Sequence, residues 1–195
     1  LLYLFLASAC YHSSFMLPRA HDVLQILDNI GIYMLIAGTY TPLLLIGLHN
    51  SNKGINLLIC EWLFAACCSM FTVYADLNHP LNNMIKLVSF IIMGGAALAI
   101  FGDLTSFLPL DCIILYALGA VAYVVGIPFF ILGEDVPIYH SVWHLFVLLA
   151  ATIHWFGTYQ YIVGIDIHLA ERIADALGSS MNSVIEDINS LKAGL

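Results

Sequence analysis

An all-α bundle of membrane-crossing helices is predicted by three observations. Of 195 residues, 62% are hydrophobic and only 9% are charged, against about 25% charged in a soluble domain. The mean hydropathy is +0.95. Apolar runs recur between short polar breaks, each close to the roughly 20 helical residues needed to cross a hydrocarbon layer about 30 Å thick. Together these exclude a soluble globular domain and a disordered chain. Barrel strands are excluded too, since the runs are about twice a barrel strand in length and lack apolar/polar alternation. With five Lys plus Arg against thirteen Asp plus Glu, no basic footprint for nucleic acid exists. The net charge of −8 reports acids gathered in loops and tail, not a partner.

The first run, residues 1–17, is already under way at Leu1, with no charged leader region and no cleavage site. The chain therefore reads as a fragment lacking its true N-terminus, and so part of this first span. A second span over 23–47 follows Pro18-Arg19, and a third over 55–75 follows Asn50-Ser51-Asn52-Lys53-Gly54. The fourth, 84–102, follows Asn78-His79-Pro80 and is expected to end at Gly102-Asp103. The fifth, 110–132, is parted from the sixth, 138–163, by Gly133-Glu134-Asp135-Val136-Pro137. Breaks this short make neighbouring helices antiparallel. Residues 1–163 thus form one multi-pass integral membrane domain. In 164–195, charges such as Asp166, Arg172 and Glu186 interleave with Ile167, Leu177 and Ile188. That pattern predicts two short amphipathic helices, broken at Gly178, lying on the bilayer or packing back on the bundle. Arg19 and Lys86 fall at one face and Lys53, Arg172 and Lys192 at the other, so basic residues do not orient the chain. Cys10, Cys60, Cys67, Cys68 and Cys112 form no CxxC pair and read as small packing residues.

An ionisable group inside a membrane helix costs about 2.5–3.5 kcal/mol on insertion scales, so each one asks for a partner or a function. His12, Asp28, Glu61, His140, His144 and His154 are such groups. Counting from the span ends places His12, Asp28, His140 and His144 roughly 3–9 Å below one and the same membrane surface. His140 and His144 are one turn apart on one helix face, a spacing able to share a metal, and His12 can complete a three-imidazole site. On spacing alone, the pair bonding neighbouring helices stays open. Asp28 at the same depth suits a proton acceptor or an orienter of a histidine, and Ser8, one turn before His12, suits a hydroxyl facing a ligand or a developing oxyanion. Three imidazoles in an apolar setting favour zinc. Glu61 reads as paired or interfacial, and His154 as bonded to a backbone carbonyl or a Tyr hydroxyl. His21, His49, His79 and His168 read as solvated.

Three stretches, in this order, carry a resemblance: Ser8-Ala9-Cys10-Tyr11-His12, then Leu27-Asp28 with Ile36-Ala37-Gly38-Thr39-Tyr40-Thr41-Pro42, then His140-Ser141-Val142-Trp143-His144-Leu145-Phe146-Val147. The sequence resembles the hemolysin III and progestin-and-adipoQ-receptor proteins, which have seven spans. The likeness covers residues 1–163 and implies that six of the seven spans are present here, the family's first being absent upstream. It also implies zinc held by His12, His140 and His144, with Ser8 and Asp28 close around it. The receptor branch is associated with ceramide hydrolysis, which implies a zinc-dependent hydrolase acting on a lipid amide such as ceramide, reached from the bilayer. Two alternatives stand beside it: a receptor or signalling protein whose zinc is structural, and a membrane-lytic protein. The lytic reading needs a polar track across the bilayer, and only His154 continues the cluster. Membrane lipid is the expected partner, and nothing points to nucleic acid or to a particular protein. Thr39, Tyr40 and Pro42 read as packing and kink.

Overall fold

The computed structural model describes residues 1–14, 18–49, 51–75, 79–133, 136–163 and 178. The predicted amphipathic tail, His168 included, lies outside the described residues apart from Gly178. Every element among the described residues is helical. They are α1 (Leu2–Ser13), α2 (Pro18–Pro42), α3 (Asn52–Tyr74), α4 (Pro80–Gly95), α5 (Phe101–Phe107), α6 (Leu110–Leu132) and α7 (Pro137–Thr158). Five continuous helical stretches are long and apolar enough to cross a membrane, from Ala20–Gly47 to Ile138–Val163. With α1 they match the six predicted spans.

Local chemistry sets the starts. Helices α2, α4 and α7 begin on Pro18, Pro80 and Pro137, where the missing N–H costs nothing and φ is already helical. Ser51 caps α3 by accepting from the Gly54 N–H at 3.3 Å, and the His79 ring caps α4 by accepting from Leu81 N–H at 3.2 Å. After Pro42 the chain continues as one π-helical turn, Leu43–Gly47, and α7 likewise runs into a π turn at Tyr159–Val163. The packing reading of the Thr39 to Pro42 stretch fits: Thr39 donates to the Leu35 carbonyl at 2.8 Å, and Tyr40 bonds across to α4.

The fourth span differs from expectation. It does not stop at Gly102-Asp103; α4 tightens into a 3-10 stretch at Ala96–Ile100 and resumes as α5 to Phe107. The reason lies in two tertiary contacts. The Tyr40 hydroxyl donates to the Gly94 carbonyl at 2.9 Å and accepts from the Ala97 N–H at 3.0 Å, drawing the turn out of α geometry. Asp103, in the first turn of α5, accepts from Ser51 and from Lys53, the latter at 3.0 Å, so its charge is met without ending the helix. Because Lys53 is 71% exposed while Ser51 is the buried cap of α3, Asp103→Ala is expected to lower the melting temperature more than Lys53→Ala. Circular dichroism melts of the two variants check this.

Packing is inverted relative to a soluble domain, as lipid requires. Leu63 is 61% and Leu145 66% exposed, whereas Ser8, Asp28, Glu61, Thr72, Lys86, Ser89 and His154 are buried. The molecule is an integral multi-pass membrane protein. Helix α2 is the most enclosed span, with 39% of its apolar window buried against 17% for α3 and α6, so it forms the centre. Tyr33 on α2 bonds Ser89 on α4 at 2.9 Å. Helices α6 and α7 pack closely, because glycines seven residues apart, two on α6 and one at its C-cap, let the backbones close up: Gly119 lies on His154, Gly126 on Trp143 and Phe146, Gly133 on His140.

Two expectations for lone polar groups fail. Glu61 is neither interfacial nor paired: it is buried on α3, about 14 Å along the helix from its start, and its Oε2 has no partner among the described residues. Cys10, Cys60 and Cys67 are exposed and only Cys112 is buried, since a small apolar thiol is as compatible with lipid as with a core.

Candidate metal centre

Three helices from opposite ends of the sequence build the site. Helix α1 ends one residue after His12, α7 begins three residues before His140, and the enclosed α2 carries Asp28 inward. One ligand atom from each of His12, Asp28, His140 and His144 lies within 4.8 Å of every other. The ring centroids of His12 and His140 are 4.9 Å apart, of His140 and His144 4.7 Å, and of His12 and His144 5.9 Å. Among the described residues this is the one such group of His, Cys, Asp or Glu. The structure therefore brings together all four residues that depth counting placed at one level, although α2 starts five residues earlier than expected, at Pro18.

The donor set fits a metal on a further ground. Buried polar atoms nearly always have a partner, yet Asp28 Oδ1, His140 Nε2 and His144 Nδ1 have none. Three unmet atoms in one group fit a site that could hold a cation on its imidazoles, with the carboxylate as a further ligand or beside them. Asp28 and the two α7 imidazoles are sheltered, while His12 is exposed, so the group opens on the α1 side. Ser8, also buried, bonds the His144 Nε2 at 2.8 Å. That contact fixes the orientation of the ring, the role expected of a residue behind a ligand.

Aromatic walls complete the site: Phe5 lies 6.1 Å from the His144 ring and Phe130 6.4 Å from His140. Two neighbours were not anticipated. Tyr11 stands between His12 and His21, with centroids 4.7 and 4.6 Å away, and Ser14 bonds the His21 Nδ1 at 3.2 Å. His21 is thus not a solvated loop residue but part of the first turns of α2; the signal was Pro18, which starts the helix ahead of it. His49 and His79 are exposed between helices as expected, each with one local bond, to the Ile46 carbonyl and from the Leu81 N–H. His154 fits its expected bond to a backbone carbonyl, that of Tyr116 at 2.9 Å.

The model of the family described as haemolysin-III related matches residues 1–155. The chain belongs to the haemolysin-III related family. The likeness read from the three motifs is therefore correct. This haemolysin-III related chain is 36% identical over 165 residues to hemolysin-3 of Bacillus cereus, covering 84% of this chain and 71% of that protein. It is 33% identical, over 84% of this chain and 74% of the relative, to the hemolysin-3 homolog of Bacillus subtilis. The human monocyte to macrophage differentiation factor is 26% identical over 82% of this chain and 66% of its own length. No solved structure matches.

The tightness of the α6–α7 pair bears on the centre. A Cβ on Gly133 would stand 2.8 Å from the backbone N and Cα of His140, whereas one on Gly126 would meet the Trp143 ring at 2.8 Å and the Phe146 Cβ at 2.9 Å. Overpacking of this kind costs about 1–3 kcal/mol. Gly133→Ala is expected to weaken metal binding about tenfold by shifting His140, and Gly126→Ala to lower stability without that loss. Zinc titrations and melts of both variants separate the two effects.

Proposed function

We propose that this protein is a zinc-dependent hydrolase that cleaves the amide bond of a ceramide-like lipid within the bilayer. The observation that carries the reading is the convergence of three imidazoles and one carboxylate, with unpartnered atoms on His140, His144 and Asp28. His12, His140 and His144 are the ligands in this reading. Zinc held by three imidazoles acts as a Lewis acid and brings water within reach of deprotonation near neutral pH. Asp28 accepts the proton released as water adds to the amide carbonyl, and returns it to the nitrogen as the C–N bond breaks, leaving a fatty acid and a long-chain amine. Ser8 holds the His144 ring, and in this reading its hydroxyl also supports the carbonyl oxygen. The exposed His12 side gives a lipid amide its approach.

A second reading rests on Asp28. Its carboxylate shares the 4.8 Å cluster with the imidazoles, and as a fourth ligand it would close the set, as in structural zinc sites. The protein is then a receptor or signalling protein whose metal ties helices together. Purified protein decides between them: zinc is counted by plasma mass spectrometry, ceramide turnover by release of fatty acid, and leakage from dye-loaded vesicles monitors a lytic action. About one zinc per chain with turnover supports the hydrolase, zinc without turnover the second reading, and leakage without zinc or turnover a lytic protein. Absence of zinc from folded protein removes the site.

A further inference from the structure

The four-residue centre is sheltered at Asp28, His140 and His144 and exposed at His12, so a cation reaches it from the α1 side. There the Tyr11 ring stands against His12 with centroids 4.7 Å apart, and His21 stands against the same tyrosine at 4.6 Å. His21 is outside the group itself. One tyrosine ring links it to the exposed ligand.

The tautomer of His21 follows from its partner. Ser14 donates its only hydroxyl proton to the Tyr11 carbonyl at 2.7 Å, a group that solely accepts. Toward His21 Nδ1, 3.2 Å away, Ser14 has only lone pairs to offer, so Nδ1 carries the hydrogen and Nε2 is the bare nitrogen. That nitrogen is reachable. His21 is half-buried, and its Nε2 takes no hydrogen bond among the described residues and is not one of the unpartnered atoms sealed off from solvent. A neutral imidazole with a free Nε2 is a ready zinc ligand. Asp22, the next residue, is exposed, and its carboxylate and that of Asp28 both act on Tyr11. Negative charge thus stands at both ends of the step from rim to centre, which draws a cation inward.

We propose that His21 is the entry ligand of the centre: its Nε2 takes a zinc ion from solution and passes it to His12. The inference rests on the reading that the centre holds zinc, and is the same whether that zinc is catalytic or structural. A ligand used only in transit lowers the barrier between free and bound metal without belonging to the final set. It therefore speeds loading and release by the same factor and leaves affinity unchanged, whereas a residue that supports the four-residue group alters affinity.

The test uses the full chain in detergent, stripped of metal, with zinc chloride as the probe. Loading is followed as zinc leaves a coloured indicator after mixing, release as exchange of bound zinc for an isotopically labelled form read by mass spectrometry, and affinity by equilibrium titration. Two replacements separate the ligand atom from the structural contacts of the ring. His21→Asn keeps a donor for Ser14, its amide N–H standing in for Nδ1–H, and His21→Phe keeps a ring against Tyr11; neither offers Nε2. Both are expected to slow loading and release about tenfold, as a barrier raised by one lost ligand contact does, with affinity within about twofold of the wild type. Wild-type rates in the variants, slowing in only one of two folded variants, or affinity lost in step with loading overturns the proposal. Zinc that never binds the wild type overturns the centre and this step with it, whereas zinc bound equally fast without His21 overturns the entry step alone. If one variant does not fold, the other decides.

Discussion

Replacing His140 and His144 together by alanine is expected to take bound zinc from about one per chain to below about 0.1, and ceramide turnover to background. Both rings come from one face of α7, and both hold buried nitrogens without a partner. The double change leaves one imidazole and one carboxylate, too few for a site that needs at least three protein ligands. The bundle is expected to survive, because the main α7 contacts are made by Trp143, Val147 and Ala151 and by the glycine row of α6. Plasma mass spectrometry on monodisperse protein with wild-type helicity reads the outcome. Full zinc in that variant would remove these residues from the site.

Asp28→Asn is the second change of large effect. The amide has nearly the same shape but cannot take up a proton, so turnover is expected to fall by about 10²–10⁴, the range for loss of a general base. Zinc content is expected to stay near the wild-type value. The carboxylate is buried, with one oxygen unmet, so the substitution leaves the packing intact. Loss of zinc in parallel with turnover would instead make Asp28 a ligand and favour the closed, structural centre.

Much of this was legible because a bilayer sets helix length and because helical rise converts position into depth. That arithmetic brought His12, Asp28, His140 and His144 to one level from four places in the sequence, as the 4.8 Å cluster shows. What it could not reach depended on contacts between helices. Gly102-Asp103 looks like a turn by itself, yet Ser51 and Lys53 on a distant segment satisfy the carboxylate, while the real distortion follows Gly94, where Tyr40 reaches across. The place of Tyr11 and His21 beside the cluster was not legible, because the apolar run of the second span begins at residue 23 whereas α2 starts earlier, on Pro18. A carbonyl partner for His154 was foreseeable in kind, but that it belongs to Tyr116 depends on the register that the α6 glycines impose.

The bond between Ser8 and His144 joins residues 136 positions apart. During synthesis, α1 enters the bilayer long before α7 has left the ribosome, and the imidazoles of the later helix reach His12 only after every intervening span is in place. The centre therefore cannot close before α7 is inserted, and a cation held there would act as a clasp that only correctly threaded chains can fasten. If the proposed zinc is that cation, the zinc retained in a purified sample reports the fraction of molecules whose insertion was completed, independently of any turnover.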